Sequence, residues 1–386
     1  MKHPVGEDWR HGGFGLYVHW PFCASKCPYC DFNSHVAVRI DQAAWRDAYI
    51  AEIEAWGEKT RGRVLDTLFF GGGTPSLMEP QTVAAVVDAA RRTWSFRNSI
   101  EITLEANPTS VEAARFQGFS EAGINRVSLG VQALDDAALR LLGRQHSVKE
   151  ALAALDIAKQ YFARTSFDLI YARQNQSLSD WRRELVLALA FEPEHLSLYQ
   201  LTIEDGTVFA ARHRVGKLPG LPAEDAGADM FDLTQDLCDA AGLPAYEVSN
   251  HAKPGQESRH NSIYWNYGDY IGVGPGAHGR VTVQGQRLAT ESVKAPGAWL
   301  DLRRRGLTTH AAALSPGEQA SEYLMMALRL SRGADLARFA ALGGTPLDQK
   351  ALDPLLELGL VWQNGRRIGA TKAGRPILNA ILRALL

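Results

Sequence analysis

Three cysteines stand within eight residues, Cys23-(3)-Cys27-(2)-Cys30, and thiols at such spacing mark metal or redox chemistry. A structural zinc site wants four closed ligands, ordinarily arriving as two pairs. No second pair exists here. The remaining cysteine, Cys238, lies far away at an apolar helical position in MFDLTQDLCDAAG and reads as a buried core thiol. His19 and His35 flank the loop and keep zinc open as an alternative. Soft thiolates also suit iron–sulfur clusters. Three of them on a four-iron cluster leave one iron without a protein ligand, open to a substrate. Spacing alone favours iron–sulfur without deciding it.

The second candidate is Gly71-Gly72-Gly73-Thr74-Pro75. Taken alone it is a tight turn after a strand. It is no phosphate-binding P-loop, since no Gly-Lys-Ser/Thr follows. The run Gly272-Val-Gly274-Pro-Gly276 is a weak dinucleotide-like match, and Pro275 argues for a rim loop instead.

Elements that would position these groups are legible as alternation. Strand candidates are Leu16–Trp20, Thr67–Phe70, Ile100–Leu104, Arg126–Gly130, Ser166–Tyr171 and His195–Leu201. Between them run helical patterns such as DQAAWRDAYIAEIEAWGEK and PQTVAAVVDAARRTW, apolar at three- and four-residue steps. Such alternation calls for parallel strands with crossover helices. Six strands are fewer than a complete eightfold barrel needs, and in either architecture ligands gather beyond the C-terminal strand ends. The cysteine loop follows the first strand and the glycine run the second. Glu105-Ala106-Asn107-Pro108 ends the third strand, Val131-Gln132 the fourth, and Asp168 sits inside the fifth. Five strands thus aim polar or backbone-exposing groups at one rim. That is a site.

Composition bounds what the site serves. The chain has 386 residues, a formal charge of −2, 46 % hydrophobic and 22 % charged residues, which is globular and not disordered. Near-neutral charge argues against a protein built mainly to hold nucleic acid. The C-terminal stretch 315–386 carries only a mild +3, too little for a strong phosphate-binding face. No transmembrane run or secretory signal is read, and few cysteines outside one loop point to a reducing compartment, so the cytoplasm is expected.

At the cysteine loop the chain resembles the radical S-adenosylmethionine superfamily, in which the open iron binds the amino and carboxylate groups of S-adenosylmethionine. There an electron from the cluster cleaves the sulfonium to a deoxyadenosyl radical. Tyr29 matches the position that packs on adenine, and the Gly71–Gly73 run the strand end that meets the methionine amino group through backbone. The segments LYVHWPFCASKCPYCDFNSH, LFFGGGTPS, ITLEANP, NRVSLGVQ, LGRQHS and HNSIYW together resemble the oxygen-independent coproporphyrinogen oxidase family, and within it most the HemW-type haem chaperones. The resemblance implies a [4Fe–4S] cluster on Cys23, Cys27 and Cys30. It implies S-adenosylmethionine contacts at Tyr17, Tyr29, Gly72, Gly73, Thr74, Glu105, Gln132, Arg144 and Asp168. Carboxylates would serve ribose hydroxyls and the ammonium, and the arginine the carboxylate. It also implies a partial, six-stranded parallel β/α barrel over residues 1–250, a connecting segment over 251–314, and a winged-helix-like α+β appendage over 315–386.

Two features separate chaperone from oxidase. The oxidases carry a further cysteine two residues past the cluster motif, where this chain has Phe32. The chaperones carry the haem-associated segment His260-Asn261-Ser262-Ile263-Tyr264-Trp265. An imidazole can bind haem iron axially and rings can pack on the porphyrin, which makes His260, Tyr264 and Trp265 candidate haem contacts. The same histidine can also serve a purely structural loop. The expected function is a haem chaperone passing its cargo to an acceptor protein, the alternative a radical decarboxylase of coproporphyrinogen III. One departure stands out: relatives have Gly-Leu-Pro-Gly-Gln after the fifth strand, this chain Ala172-Arg173-Gln174-Asn175-Gln176. Loss of two glycines and a proline predicts an altered turn.

Overall fold

All six expected strands form. In the computed structural model, which describes residues 7–306 and 309–386, they are β1 (Phe14–Trp20), β2 (Val64–Gly72), β3 (Ser95–Ala106), β4 (Arg126–Gln132), β5 (Arg164–Tyr171) and β6 (His195–Gln200). They pair in parallel and in sequence order. Helices α1 (Gln42–Lys59), α2 (Pro80–Thr93), α3 (Val148–Tyr161) and α4 (Leu178–Leu189) cross over between strands.

Local chemistry sets these elements. Asp41 caps α1 by accepting from the Ala44 amide, and Ser147 and Ser177 open α3 and α4 with reciprocal capping boxes. Along α1, Trp45, Tyr49 and Ile53 recur at four-residue steps and are buried, each contributing about 1.5–3 kcal/mol of burial. The Tyr49 hydroxyl donates to the His19 carbonyl at 2.6 Å. The helix is thereby fastened to the strand end that launches the cysteine loop.

The sheet does not stop at residue 250, a correction to the reading of 251–314 as a connecting segment. The strand β7 (Asn250–Ala252) adds to β6 antiparallel. At the opposite edge β8 (Asp269–Val273) lies parallel to β1, followed by antiparallel β9 (His278–Val283), β10 (Gln286–Glu291) and β11 (His310–Ala313). Ile271, Val273, Val281 and Trp299 belong to the same core as β1–β6. Short strands rich in Gly and polar residues hide the period-two signal on which strand recognition depends.

Between β5 and β7, helix α5 (Glu224–Ala240) buries Cys238, whose thiol is pushed up to about 12 by that burial. Helix α6 (Arg259–Trp265) carries the HNSIYW segment. A second core gathers residues of α7 (Pro316–Ala327) and of the helices and three-stranded sheet beyond it, and Tyr267 reaches into it. Among the described residues no helix is long and apolar enough to cross a membrane.

Candidate functional site

A cavity of about 630 Å³ opens at the C-terminal rim of β1–β6. Its wall includes Cys23, Cys27, Cys30, Tyr29, Gly72, Gly73, Thr74, Glu105, Gln132, Arg144 and Asp168. Of the residues expected to hold a cluster and S-adenosylmethionine, only Tyr17 lies elsewhere, on the adjoining cavity described below.

The cysteine loop is pinned at both ends. Phe22–Cys23 and His35–Val36 pair as a short parallel ladder. The Gly73 and Thr74 amides donate to the carbonyls of Trp20 (2.7 Å) and Phe22 (2.8 Å), so the glycine run seals against the loop. A Cβ on Gly73 would stand 2.7 Å from the Phe22 carbonyl oxygen. Gly72 adopts φ +113° with His19 against it, a conformation and a contact that exclude other residues. These glycines are needed for loop packing as well as for ligand access.

Each thiol has its own polar neighbour. The Thr74 hydroxyl donates to Cys23 Sγ at 3.3 Å, Arg144 Nη1 donates to Cys27 Sγ at 3.5 Å, and Cys30 Sγ lies 3.9 Å from the Ser34 hydroxyl. Burial pushes the Cys23 and Cys30 thiols up. Among the described residues no three His, Cys, Asp or Glu side chains converge as ligands of one metal ion. Thiols spaced around one wall suit a polynuclear cluster, whose thiolates sit on separate irons. His19, which could complete a zinc site, has both ring nitrogens engaged, Nδ1 with the Tyr17 hydroxyl (3.1 Å) and Nε2 with the Asn33 carbonyl (2.9 Å).

Deeper in the cavity lie two buried carboxylates. Glu105 accepts from the Gly72 amide at 3.3 Å; burial first, then the charge of Asp168, pushes it up to about 7. Asp168 accepts from the Gln132 amide on Oδ2 at 2.7 Å; burial raises it to about 6 against the opposing Arg144 charge. Its Oδ1 is buried with no partner, a cost that a ligand hydroxyl would relieve. Arg144 also donates to the carbonyl of Gly130 (2.7 Å) and to Asn107 Oδ1 (2.6 Å). Asn107 in turn donates to Thr74 at 3.4 Å. Sequence reasoning left Asn107 without a role; its place between Thr74 and Arg144, two singled-out residues, is visible only in three dimensions.

The turn after β5 is built without the glycines expected there. Ala172 and Asn175 adopt φ +56° and +58°, left-handed conformations at the two positions where relatives carry glycine. Buried Arg173 secures them: its guanidinium donates to the Gln132 carbonyl at 3.3 Å and pairs with Glu184. Gln132, itself at φ +69°, is thus held from behind while it holds Asp168.

The histidine singled out as a candidate haem contact is buried beneath a second cavity. His260 is 1 % exposed. Its Nδ1 bonds Thr67 at 2.7 Å and its Nε2 the Tyr264 hydroxyl at 2.6 Å. Phe69 stacks on the ring at 4.9 Å, and burial lowers its proton affinity to about 3. Both ring nitrogens are engaged, so in this structure His260 pins α6 to β2 and faces neither cavity. Tyr264 and Trp265 do line a cavity, of about 760 Å³, which also borders Tyr17, Gly72 and Glu105.

A cluster loop at the head of a parallel β/α sheet, with an anchored glycine run and two carboxylates at the same rim, defines a radical S-adenosylmethionine protein. Residues 17–187 match the radical SAM superfamily and residues 314–377 the HemN C-terminal domain. The chain is 36 % identical to the heme chaperone HemW of Escherichia coli, covering 96 % of this chain and 97 % of that one. It is 38 % identical to the mitochondrial radical S-adenosyl methionine domain-containing protein 1 of Bos taurus, over 96 % and 87 % of the two. The structure superposes on coproporphyrinogen III oxidase HemN from Escherichia coli with a TM-score of 0.81 at 23 % identity, covering 97 % and 90 %, a likeness of fold alone. The chain belongs to the HemW family. Membership implies a [4Fe–4S] cluster and S-adenosylmethionine, and the three thiols and the unpartnered Asp168 oxygen fit both.

Proposed function

We propose that this protein is a haem chaperone: it binds haem, carries a [4Fe–4S] cluster with exchangeable S-adenosylmethionine, and passes the haem to an acceptor protein. The end-to-end relationship to HemW carries this reading. Phe32 supports it against the oxidase alternative, because a side chain 58 % exposed at the cavity mouth stands where the oxidases have a cysteine. Cys23, Cys27 and Cys30 would hold the cluster. Glu105 would meet the cofactor's ammonium beside the Gly72–Gly73 backbone, Arg144 its carboxylate and Asp168 its ribose hydroxyls, with Tyr29 against adenine. Bound together, cluster and cofactor supply reductive cleavage of a sulfonium; the protein's part is to orient them and exclude water. The cysteine usage, three in one loop and no disulfide framework, favours a reducing compartment such as the cytoplasm.

The test is one anaerobic preparation reconstituted with iron and sulfide, divided between two assays. Stable haem uptake, with no protoporphyrinogen formed from coproporphyrinogen III, S-adenosylmethionine and reductant, is the expected result. Turnover of coproporphyrinogen III above a no-protein control would establish the oxidase reading instead.

A further inference from the structure

In the rim cavity Arg144 meets more than one group, and what holds it there lies behind the wall. We infer that Asn107, fixed by Glu112, is a positioning residue. It aims one guanidinium at both the Cys27 sulfur and the cofactor's carboxylate, and so sets the cluster's reduction potential and the cofactor's affinity together. This rests on the reading of that cavity as the site of the cluster and S-adenosylmethionine, and adds to it the residue on which the arginine depends.

Arg144 spends its donors unequally. Nη1 donates to Cys27 Sγ at 3.5 Å. Nη2 donates to Asn107 Oδ1 at 2.6 Å and to the Gly130 carbonyl at 2.7 Å. Nε is buried with no partner, a costly state for a charged donor. It is the donor left for a ligand carboxylate. Gly130 makes room for the arrangement, since a Cβ there would stand 3.2 Å from Nη2 and 3.7 Å from Asn107 Oδ1. Of the two anchors on Nη2, Asn107 is the one supplied by a side chain.

Asn107 follows β3 and is itself held. Its backbone N–H donates to Glu112 Oε2 at 2.9 Å, and its Nδ2 donates to Glu112 Oε1 at 3.3 Å. Glu112 stands in the short helix Ser110–Ala113, is 5 % exposed, and also accepts from the Ser76 hydroxyl. The same Nδ2 reaches Thr74 Oγ1 at 3.4 Å, and that hydroxyl donates to Cys23 Sγ at 3.3 Å. One amide therefore joins the side chains that donate to two of the three loop thiols. Donors to cluster sulfurs help set the potential: they stabilise the reduced, more negative state, so a displaced Arg144 lowers it.

The test uses full-length protein loaded with its cluster. In a mediated redox titration without S-adenosylmethionine, read by the cluster's paramagnetic signal, Asn107→Ala should shift the midpoint to more negative potential. The same variant should bind S-adenosylmethionine about tenfold more weakly, read by the perturbation of that signal. Both effects act through Arg144. In an Arg144→Lys background, which keeps the charge and loses the fork, Asn107→Ala should therefore add little to either. Glu112→Gln sets an amide N–H against Asn107 Nδ2 and should move both readouts the same way by less; it replaces Asn107→Ala if that variant does not hold a full cluster. An unchanged potential or affinity in Asn107→Ala, or equal losses in the wild-type and Arg144→Lys backgrounds, would overturn the positioning role while leaving the cavity's assignment intact. Wild-type protein that takes up no cluster, or whose signal S-adenosylmethionine leaves unperturbed, would overturn both.

Discussion

The two cavities share a wall at Gly72 and Glu105 yet are built on opposite plans. The first takes its groups from consecutive strand ends of one parallel sheet, each within a few residues of a short motif. The second draws on residues from position 17 to position 326, and its aromatic lining belongs to no single motif. A rim cavity follows from sheet topology, so its chemistry can be stated wherever the strands can be found. A cavity at the junction of two cores follows from packing, and a motif residue beside it can serve as a post beneath its wall. His260 stands as such a post, bonded to Thr67 and Tyr264.

Cluster ligation gives the sharpest separation. Cys23→Ala, Cys27→Ala or Cys30→Ala should each abolish the cluster's absorbance and its reduced paramagnetic signal. Cys238→Ala, in α5 and lining neither cavity, should keep both. Loss of the cluster in Cys238→Ala would dissolve the assignment of chemistry to the first cavity.

Removing the post is the next largest effect. His260→Ala strands the buried hydroxyls of Thr67 and Tyr264 and unstacks Phe69. That should cost about 2–4 kcal/mol of stability, measured by denaturant unfolding. A haem titration of the folded variant then separates the two roles: an unchanged spectrum leaves His260 a structural post alone. If stability holds and the spectrum changes, His260 is a ligand, and the second cavity loses its distinction from the motif.

What the sequence disclosed follows the same division. The six parallel strands, the helices α1 and α2, and the cysteine loop and glycine run were legible from local periodicity or a tight motif, while the contacts from Tyr29 to Asp168 came from the family resemblance. The strands β8–β11 were not, since their short Gly-rich runs pair with neighbours that local pattern does not announce. Nor was the role of Asn107, which depends on three strand ends meeting. The turn at Ala172–Gln176 shows another limit: buried Arg173 and its contacts with Gln132 and Glu184 hold it, and long-range packing is silent in a pentapeptide.

Within the first cavity the carboxylates should differ from their neighbours by a smaller margin. Asp168→Ala removes an acceptor whose Oδ1 has no other use. A charge-assisted hydrogen bond contributes about 1.5–3 kcal/mol, so S-adenosylmethionine affinity should fall roughly tenfold or more. Its perturbation of the reduced cluster's spin signal supplies the titration. Equal affinity in the variant would remove Asp168 from the binding wall.

The smallest effect is a pH dependence confined to the same wall. Glu105 is raised to about 7 by burial and by Asp168, with the Gly72 amide and Arg126 opposing; Asp168 is raised to about 6. Ordinary carboxyls titrate near 4, so in the ligand-free protein ionisation of Glu105 opposes folding. That penalty is absent below the unfolded value, grows as pH rises through the window from about 4.5 to about 7, and is complete above it. A cofactor ammonium beside Glu105 reverses the balance by favouring the charged form. Affinity for S-adenosylmethionine should therefore rise between pH 6 and pH 8, by at most about tenfold for one such group, and level off above. Glu105→Gln should flatten the profile, and also raise the ligand-free melting temperature at pH 8 relative to the wild type. Calorimetry in two buffers of different ionisation enthalpy measures the proton released on binding. A flat profile in the wild type, with no proton released, would take Glu105 off the ammonium.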